Sequence, residues 1–173
     1  GQAGEDRGLR GGVEALDVGR GVGLGVAQRL GLLDRLGEAG AGQAADGVDN
    51  DGNGLVDDVQ GWDFADADND PNPVGTNGHG TACAGIAAGT FGAASKAAGI
   101  APGCTVLPLK IADDSGEFTT DEIIGTAIAY AAEHADVLSN SWGGGGDSEF
   151  INDAIDYATV QGRGGKGCPA FFA

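Results

Sequence analysis

His79 lies between two glycines in the run Asn77-Gly-His-Gly-Thr-Ala-Cys-Ala-Gly-Ile-Ala-Ala-Gly89. The glycines let neighbouring backbone approach the imidazole, and the small residues from Thr81 to Ala88 read as a tightly packed, buried helix. Such a run plants one histidine at the start of a core helix, facing a cleft, where an imidazole can take and return a proton. The alternative is a turn histidine ahead of a small-residue helix. His79 alone does not separate the two. The chain's other histidine, His134, falls in the last turn of an expected helix, where the macrodipole favours positive charge, and reads as structural.

A second group of residues has cation chemistry. Asp49, Asp51, Asn53 and Asp57 are spaced two or four apart with Gly54 at a sharp turn, the pattern of an oxygen-ligand loop for calcium. Gln60 stands where an EF-hand would place its bidentate glutamate, so a full EF-hand is not supported. A solvated loop of Asx turns accounts for the same residues. A further acidic cluster, Asp63, Asp66, Asp68 and Asp70, ends at Pro71 and leads into the histidine run.

The elements that must position these residues follow the chain. Cys104–Ile111 is a β-type run in which Pro108 prefers an edge or a bulge. Thr119 and Glu122 form a capping box opening a helix to about His134, with Ile123, Ile124, Ala127, Ile128 and Ala131 inward. Residues 135–142 form a second buried strand, and Gly143–Gly146 a very flexible turn. Residues 149–160 form a further helix with Phe150, Ile151, Ala154, Ile155 and Ala158 on one face, and Cys168–Ala173 starts a third strand. This alternation implies an α/β fold, a doubly wound, mostly parallel sheet with helices on both faces. Sites in that architecture lie at the carboxyl ends of strands, where both His79 and the Ser141-Trp142-Gly143 turn belong.

Composition sets bounds. The chain has 173 residues, 35 of them glycine, no methionine and a net charge of −17. That length suits one domain or a large part of one. From Leu36 onward 21 acids face only Lys96, Lys110, Arg163 and Lys166. Such a surface repels nucleic acid and anionic membrane and suits cations or basic peptides, although solubility also explains it. No apolar run is long enough to span a membrane and no signal segment is present, so the chain reads as a soluble fragment without its natural ends. Cys83, Cys104 and Cys168 lack metal spacing; one disulfide plus a thiol and three buried thiols are both open.

Residues 1–45 stand apart from residues 46–173. They use only Gly, Ala, Val, Leu, Asp, Glu, Arg and Gln. Gln28–Leu36 could form a short helix. All eight residue types have codons beginning with G or C, so a G+C-rich stretch read out of frame would produce this composition. An uninterrupted frame on resequencing would remove that account.

From about Gly47 to Ala173 the chain resembles the subtilisin-like serine proteases. The carrying residues are Asn77-Gly-His-Gly-Thr81 with Cys83-Ala-Gly85, Gly99-Ile-Ala-Pro102, Val106-Leu-Pro-Leu-Lys110 with Asp114-Ser-Gly116, Asn140-Ser-Trp-Gly143, and Gly162-Arg-Gly-Gly-Lys-Gly167. Cys83, Asp68-Asn-Asp-Pro71 and the Gly162 loop are similar to the kexin-like branch, the proprotein convertases. The resemblance implies a secreted, monomeric serine endopeptidase with a Ser-His-Asp triad acting on peptide or protein substrates, and no cofactor in the chemistry. His79 would be the general base. Ser141, Trp142 and Gly143 would form the edge along which an extended substrate pairs. Asp17, in Val13-Glu-Ala-Leu-Asp17-Val-Gly19, is the nearest match to the triad aspartate, ahead of Asp46.

The family's nucleophile sits in a Gly-Thr-Ser turn and its oxyanion asparagine in Ala-Gly-Asn. Neither tripeptide occurs here, so the fragment is expected to be inactive alone. Convertase-like specificity for paired basic residues implies acids just after Trp142, but Gly144, Gly145 and Gly146 stand there. The competing expectation is a non-enzymatic module, calcium-binding or interacting through its acidic loops, or a pseudoprotease.

Overall fold

The computed structural model describes residues 24–29, 45–75, 77–91 and 97–172, with 24–29 described as backbone. Asp17 lies outside the described residues. A helix, α2 (Asp121–His134), carries its own start and stop signals. Thr120 Oγ1 accepts from the Ile123 N–H at 3.4 Å, Asp121 and Glu122 occupy the first turn, and His134 the last, matching side-chain charge to the helix dipole. The cap falls one residue later than the expected Thr119, whose N–H donates instead to the Ile111 carbonyl at 3.0 Å. Ile124, Ala127, Ile128 and Ala131 recur at helical spacing and are all buried.

Those residues cover β3 (Thr105–Lys110) and β4 (Val137–Asn140), packing with Leu109, Ile111 and Leu138 into one core that also holds Trp62, Phe64 and Cys168. A helix α3 (Glu149–Val160) lies against α2. Gly125 permits the approach: a Cβ there would stand 2.9 Å from the Phe150 carbonyl. Contact runs through Ala154 and Ala158, while Phe150, expected inward, is 58 % exposed.

Five strands form one sheet in the order β2-β3-β1-β4-β5, with β1 Leu24–Arg29, β2 Trp62–Asp63 and β5 Ala170–Phe172. β2 is parallel to β3, and β4 to β5. β1 is antiparallel to both β3 and β4, with Val26 opposite Pro108 and Ser139. Four strands therefore share one direction and only β1 is reversed. Four strands running one way are consistent with the expected mostly parallel sheet, but β3 and β4, the pair joined through α2, are not neighbours because β1 lies between them. Gln28 and Arg29 belong to β1 rather than to a helix; residues 30–36 lie outside the described residues. Pro108 is also interior rather than at an edge. It is tolerated where β2 is short, since β2 pairs only with Leu109 and Lys110. Gly61 crosses directly over Pro108, where a Cβ would come within 2.1 Å of the proline carbonyl.

The remaining helix, α1 (His79–Ala88), packs against β1 and β3. Leu138, Ser139 and Asn140 border α2, and Ser139 and Ser141 share a hollow with Cys83, Ile86 and Ala87 of α1. Helices and sheet together make an α/β fold. α1 is half-buried rather than fully buried, and Ile86 is 70 % exposed, because among the described residues only its sheet side is covered.

Candidate active site

His79 is the first residue of α1. Gly78 caps the helix with φ −86° and no side-chain bond, while its carbonyl takes the Ala82 N–H at 2.9 Å. Nε2 lies 3.9 Å from Cys83 Sγ, one turn further along α1. Nδ1 is buried and has no hydrogen-bond partner among the described residues. A buried ring nitrogen of this kind calls for an acceptor or donor. Asp17, the residue expected to supply a carboxylate, lies outside the described residues.

The segment just before His79 is tethered. Asn77 Nδ2 donates to the carbonyls of Asp113 at 3.3 Å and Asp114 at 2.7 Å, and the Asn77 N–H reaches the Val74 carbonyl at 3.3 Å. The carbonyls belong to the turn after β3, which is itself tightly braced. Asp113 Oδ1 accepts from the Ser115 N–H, the Ser115 hydroxyl and the Glu117 N–H at 2.8, 2.7 and 3.0 Å. The Ser115 hydroxyl, followed by the Glu117 amide, holds the Asp113 carboxyl below the usual carboxylate range.

Ser141, Trp142 and Gly143 follow the carboxyl end of β4. Ser141 and the α1 residues Cys83, Ile86 and Ala87 line a hollow of about 390 Å³ together with Ser139, Ile100 and Ala101. The structure therefore brings Ser141 to the helix that carries His79. Trp142 is fixed by its indole N–H, which donates to Asn140 Oδ1 at 3.2 Å, and Asn140 Nδ2 donates in turn to the Phe171 carbonyl at 3.2 Å. The Trp142 ring meets Phe172 edge-on at 5.4 Å and tilts against Phe118 at 6.1 Å. Gly144 and Gly145 then turn with positive φ of 103° and 80°, a backbone for which glycine is suited.

The acidic loop is organised by its own amides. Asp49 accepts from Gly52, Asn53 and Gly54 N–H groups at 2.8, 3.2 and 2.8 Å, and Gly54 leads the causes that hold its carboxyl below the ordinary value. Asp51 accepts from Asn53, and Asp57 from the Asp46 and Gly47 amides. The oxygens suit calcium in kind, but Asp49, Asp51, Asn53 and Asp57 are turned onto amide donors. Among the described residues no group of three or more His, Cys, Asp or Glu side chains is arranged to hold a metal ion. Asp58, 3 % exposed, anchors the loop instead, accepting from the Tyr130 hydroxyl at 2.6 Å and Asn53 Nδ2 at 2.9 Å. Burial, then the Asp58 hydrogen bond, raises the Tyr130 pKa, so the phenol stays protonated. His134 stacks on Tyr130 at 4.2 Å, its Nδ1 2.8 Å from the Tyr130 carbonyl, the structural role expected of it. Cys83, Cys104 and Cys168 are free thiols, which closes the disulfide alternative; burial pushes the Cys168 thiol up to about 11.

Residue patterning passed over Lys110. Its side chain is buried at the end of β3, with Nζ 2.5 Å from Asp63, 3.0 Å from Asp66 and 3.0 Å from Asp114. Burial works against its charge, but the hydrogen bonds to the three aspartates outweigh it and raise its pKa. A signal was present in the sequence: Lys110 is one of only four bases facing 21 acids after residue 35.

The profile described as the subtilase family matches residues 25–173. Thermitase of Thermoactinomyces vulgaris is 41 % identical over 105 residues, 60 % of this chain and 37 % of its own length. A calcium-dependent protease of Trichormus variabilis is 37 % identical over 125 residues, covering 61 % of this chain and 18 % of that protein. Furin-like protease 1, isoform 1-CRR, of Drosophila melanogaster is 31 % identical over 136 residues, 70 % of this chain and 12 % of its own length. The chain thus spans well under half the length of each of these relatives. No solved structure matches.

Proposed function

The chain belongs to the subtilase family, and from that membership we propose that the whole protein is a secreted, monomeric serine endopeptidase in which His79 is the general base. The observation that carries this reading is the place of His79 on the first turn of α1, a helix whose next turn shares a hollow with Ser141 at the end of β4. His79 Nε2 would take the proton of a serine hydroxyl as it attacks the scissile carbonyl, then return it to the leaving amine. A carboxylate on Nδ1 would hold the ring in the tautomer that leaves Nε2 free to accept. Asp17 is proposed for that role. The edge Ser141-Trp142-Gly143 would pair with an extended peptide through backbone hydrogen bonds, the fixed Trp142 ring keeping that edge straight.

A fluorophosphonate probe tests this on the protein expressed from its complete gene. Labelling is expected, and His79→Ala should lower its rate by at least about a thousandfold, the scale seen when a triad member is removed. Undiminished labelling of that variant contradicts the role of His79.

Calcium is proposed as a weak structural ligand of the loop carrying Asp49, Asp51, Asn53 and Asp57. The support is the donor spacing and the similarity to a calcium-dependent protease. Affinity should be low, on the order of 10⁻⁴–10⁻³ M, because the carboxylates must first release backbone amides. Calorimetry that gives no heat up to about 10 mM calcium, well beyond that range, removes the proposal.

A further inference from the structure

We propose that Lys110 is a positioning residue for His79, acting through three aspartates and Asn77. The connection from β2 to α1 starts at Asp63 and Asp66 and ends at Asn77, two residues before His79. Lys110 holds it at both ends. At the start, the ammonium bonds Asp63 Oδ2 and Asp66 Oδ2 directly. Asp63 is 1 % exposed, and its other oxygen is committed to the Ala65 and Asp66 amides at 2.8 and 3.1 Å. At the far end, the ammonium bonds Asp114 Oδ1 at 3.0 Å, and the Asp114 carbonyl receives Asn77 Nδ2 at 2.7 Å. Phe64 N–H also closes onto the Lys110 carbonyl at 2.8 Å. One buried cation therefore sets the separation between the start of the connection and the turn that grips its end.

The charge requirement follows from burial. Without the cation the buried Asp63 carboxylate would face Asp66 and Asp114 unneutralised, so removing the ammonium should spread the exposed Asp114 away from Asp63. The Asp113–Asp114 carbonyls would move with it and release Asn77. An uncharged side chain of similar length fills the same space and leaves this repulsion unanswered, whereas arginine keeps the charge and its donors.

This inference rests on reading His79 as the base, but its test reads geometry without using activity. In the nitrogen-labelled protein expressed from its complete gene, the ring signals of His79 and His134 are assigned by their loss in His79→Gln and His134→Gln variants. Lys110→Met should shift the His79 ring and Asn77 side-chain amide signals while His134, stacked on Tyr130, keeps its wild-type position. Lys110→Arg should restore the His79 signals at least partly. Unmoved His79 and Asn77 signals in folded Lys110→Met, or no recovery in Lys110→Arg, overturn the proposal. If Lys110→Met fails to fold, Asp114→Ala supplies the answer, since this exposed carboxylate joins the ammonium to the Asn77 turn: a shifted His79 ring supports the relay, and an unmoved one rejects it. Failure of the protease reading shows separately, as absent fluorophosphonate labelling with the same ring shifts still present.

Discussion

Asp113 gathers three donors on one carboxylate oxygen, and that concentration makes it a local acid sensor. Its folded pKa lies below the unfolded value of about 3.9. A depressed carboxylate contributes stability above its unfolded pKa and loses that contribution as pH falls through the folded value. The turn that receives Asn77 should therefore stay braced at neutral pH and loosen only in acid. In an amide spectrum followed from pH 7 downward, the Ser115 and Glu117 N–H signals should titrate with midpoints below about 3.9. Midpoints at or above that value would contradict the bonding described for Asp113. Asp49 has the same sign through the Gly54 amide, so the acidic loop should loosen in the same window.

At the scale of the element, α2 supplies more of the core than any other described element, and its first turn is the part most open to test. Thr120, not Thr119, caps the helix start, its side-chain oxygen accepting from the Ile123 N–H. Thr120→Ala should cost about 0.5–2 kcal/mol, the usual loss for a threonine cap. Thr119→Ala leaves the Thr119 backbone bond to Ile111 in place and should cost less. Equal losses in urea unfolding would place the cap elsewhere. The one-residue offset was not legible in the sequence because both threonines precede an acidic first turn. Which one caps depends on where β3 ends and pulls the chain back to Ile111.

For the whole molecule the dominant quantity is a net charge of −17. The excess is spread over the loops, where like charges repel through water and are screened by salt, with a Debye length of about 8 Å at 0.15 M. Within the Lys110 cluster the buried Lys110–Asp63 pair is screened less. Raising sodium chloride from about 10 mM to 150 mM shortens the Debye length from about 30 to 8 Å and should raise the thermal midpoint. A fall would mean that exposed ion pairs, such as Arg163 with Asp136 at 2.9 Å, outweigh the general repulsion.

The sequence by itself determined the family through local patterns. His79 between glycines, the periodic apolar face of α2 and the β-type runs before Lys110 and Asn140 are all short-range features, and α1, α2, α3, β3 and β4 appear where those features lie. Spacing also told that His134 is structural, since a histidine in the last turn needs no distant partner. Tertiary structure decided what depends on partners far apart in the chain. It reversed β1 between β3 and β4, because strand direction is set by neighbours rather than by residue type. It turned the carboxylates of the acidic loop onto backbone amides, a choice that donor spacing alone leaves open. It also placed Lys110 among aspartates 47, 44 and 4 residues away. No window along the chain contains that cluster; only the closing of the sheet brings its charges together, and the buried Lys110–Asp63 pair neutralises itself there.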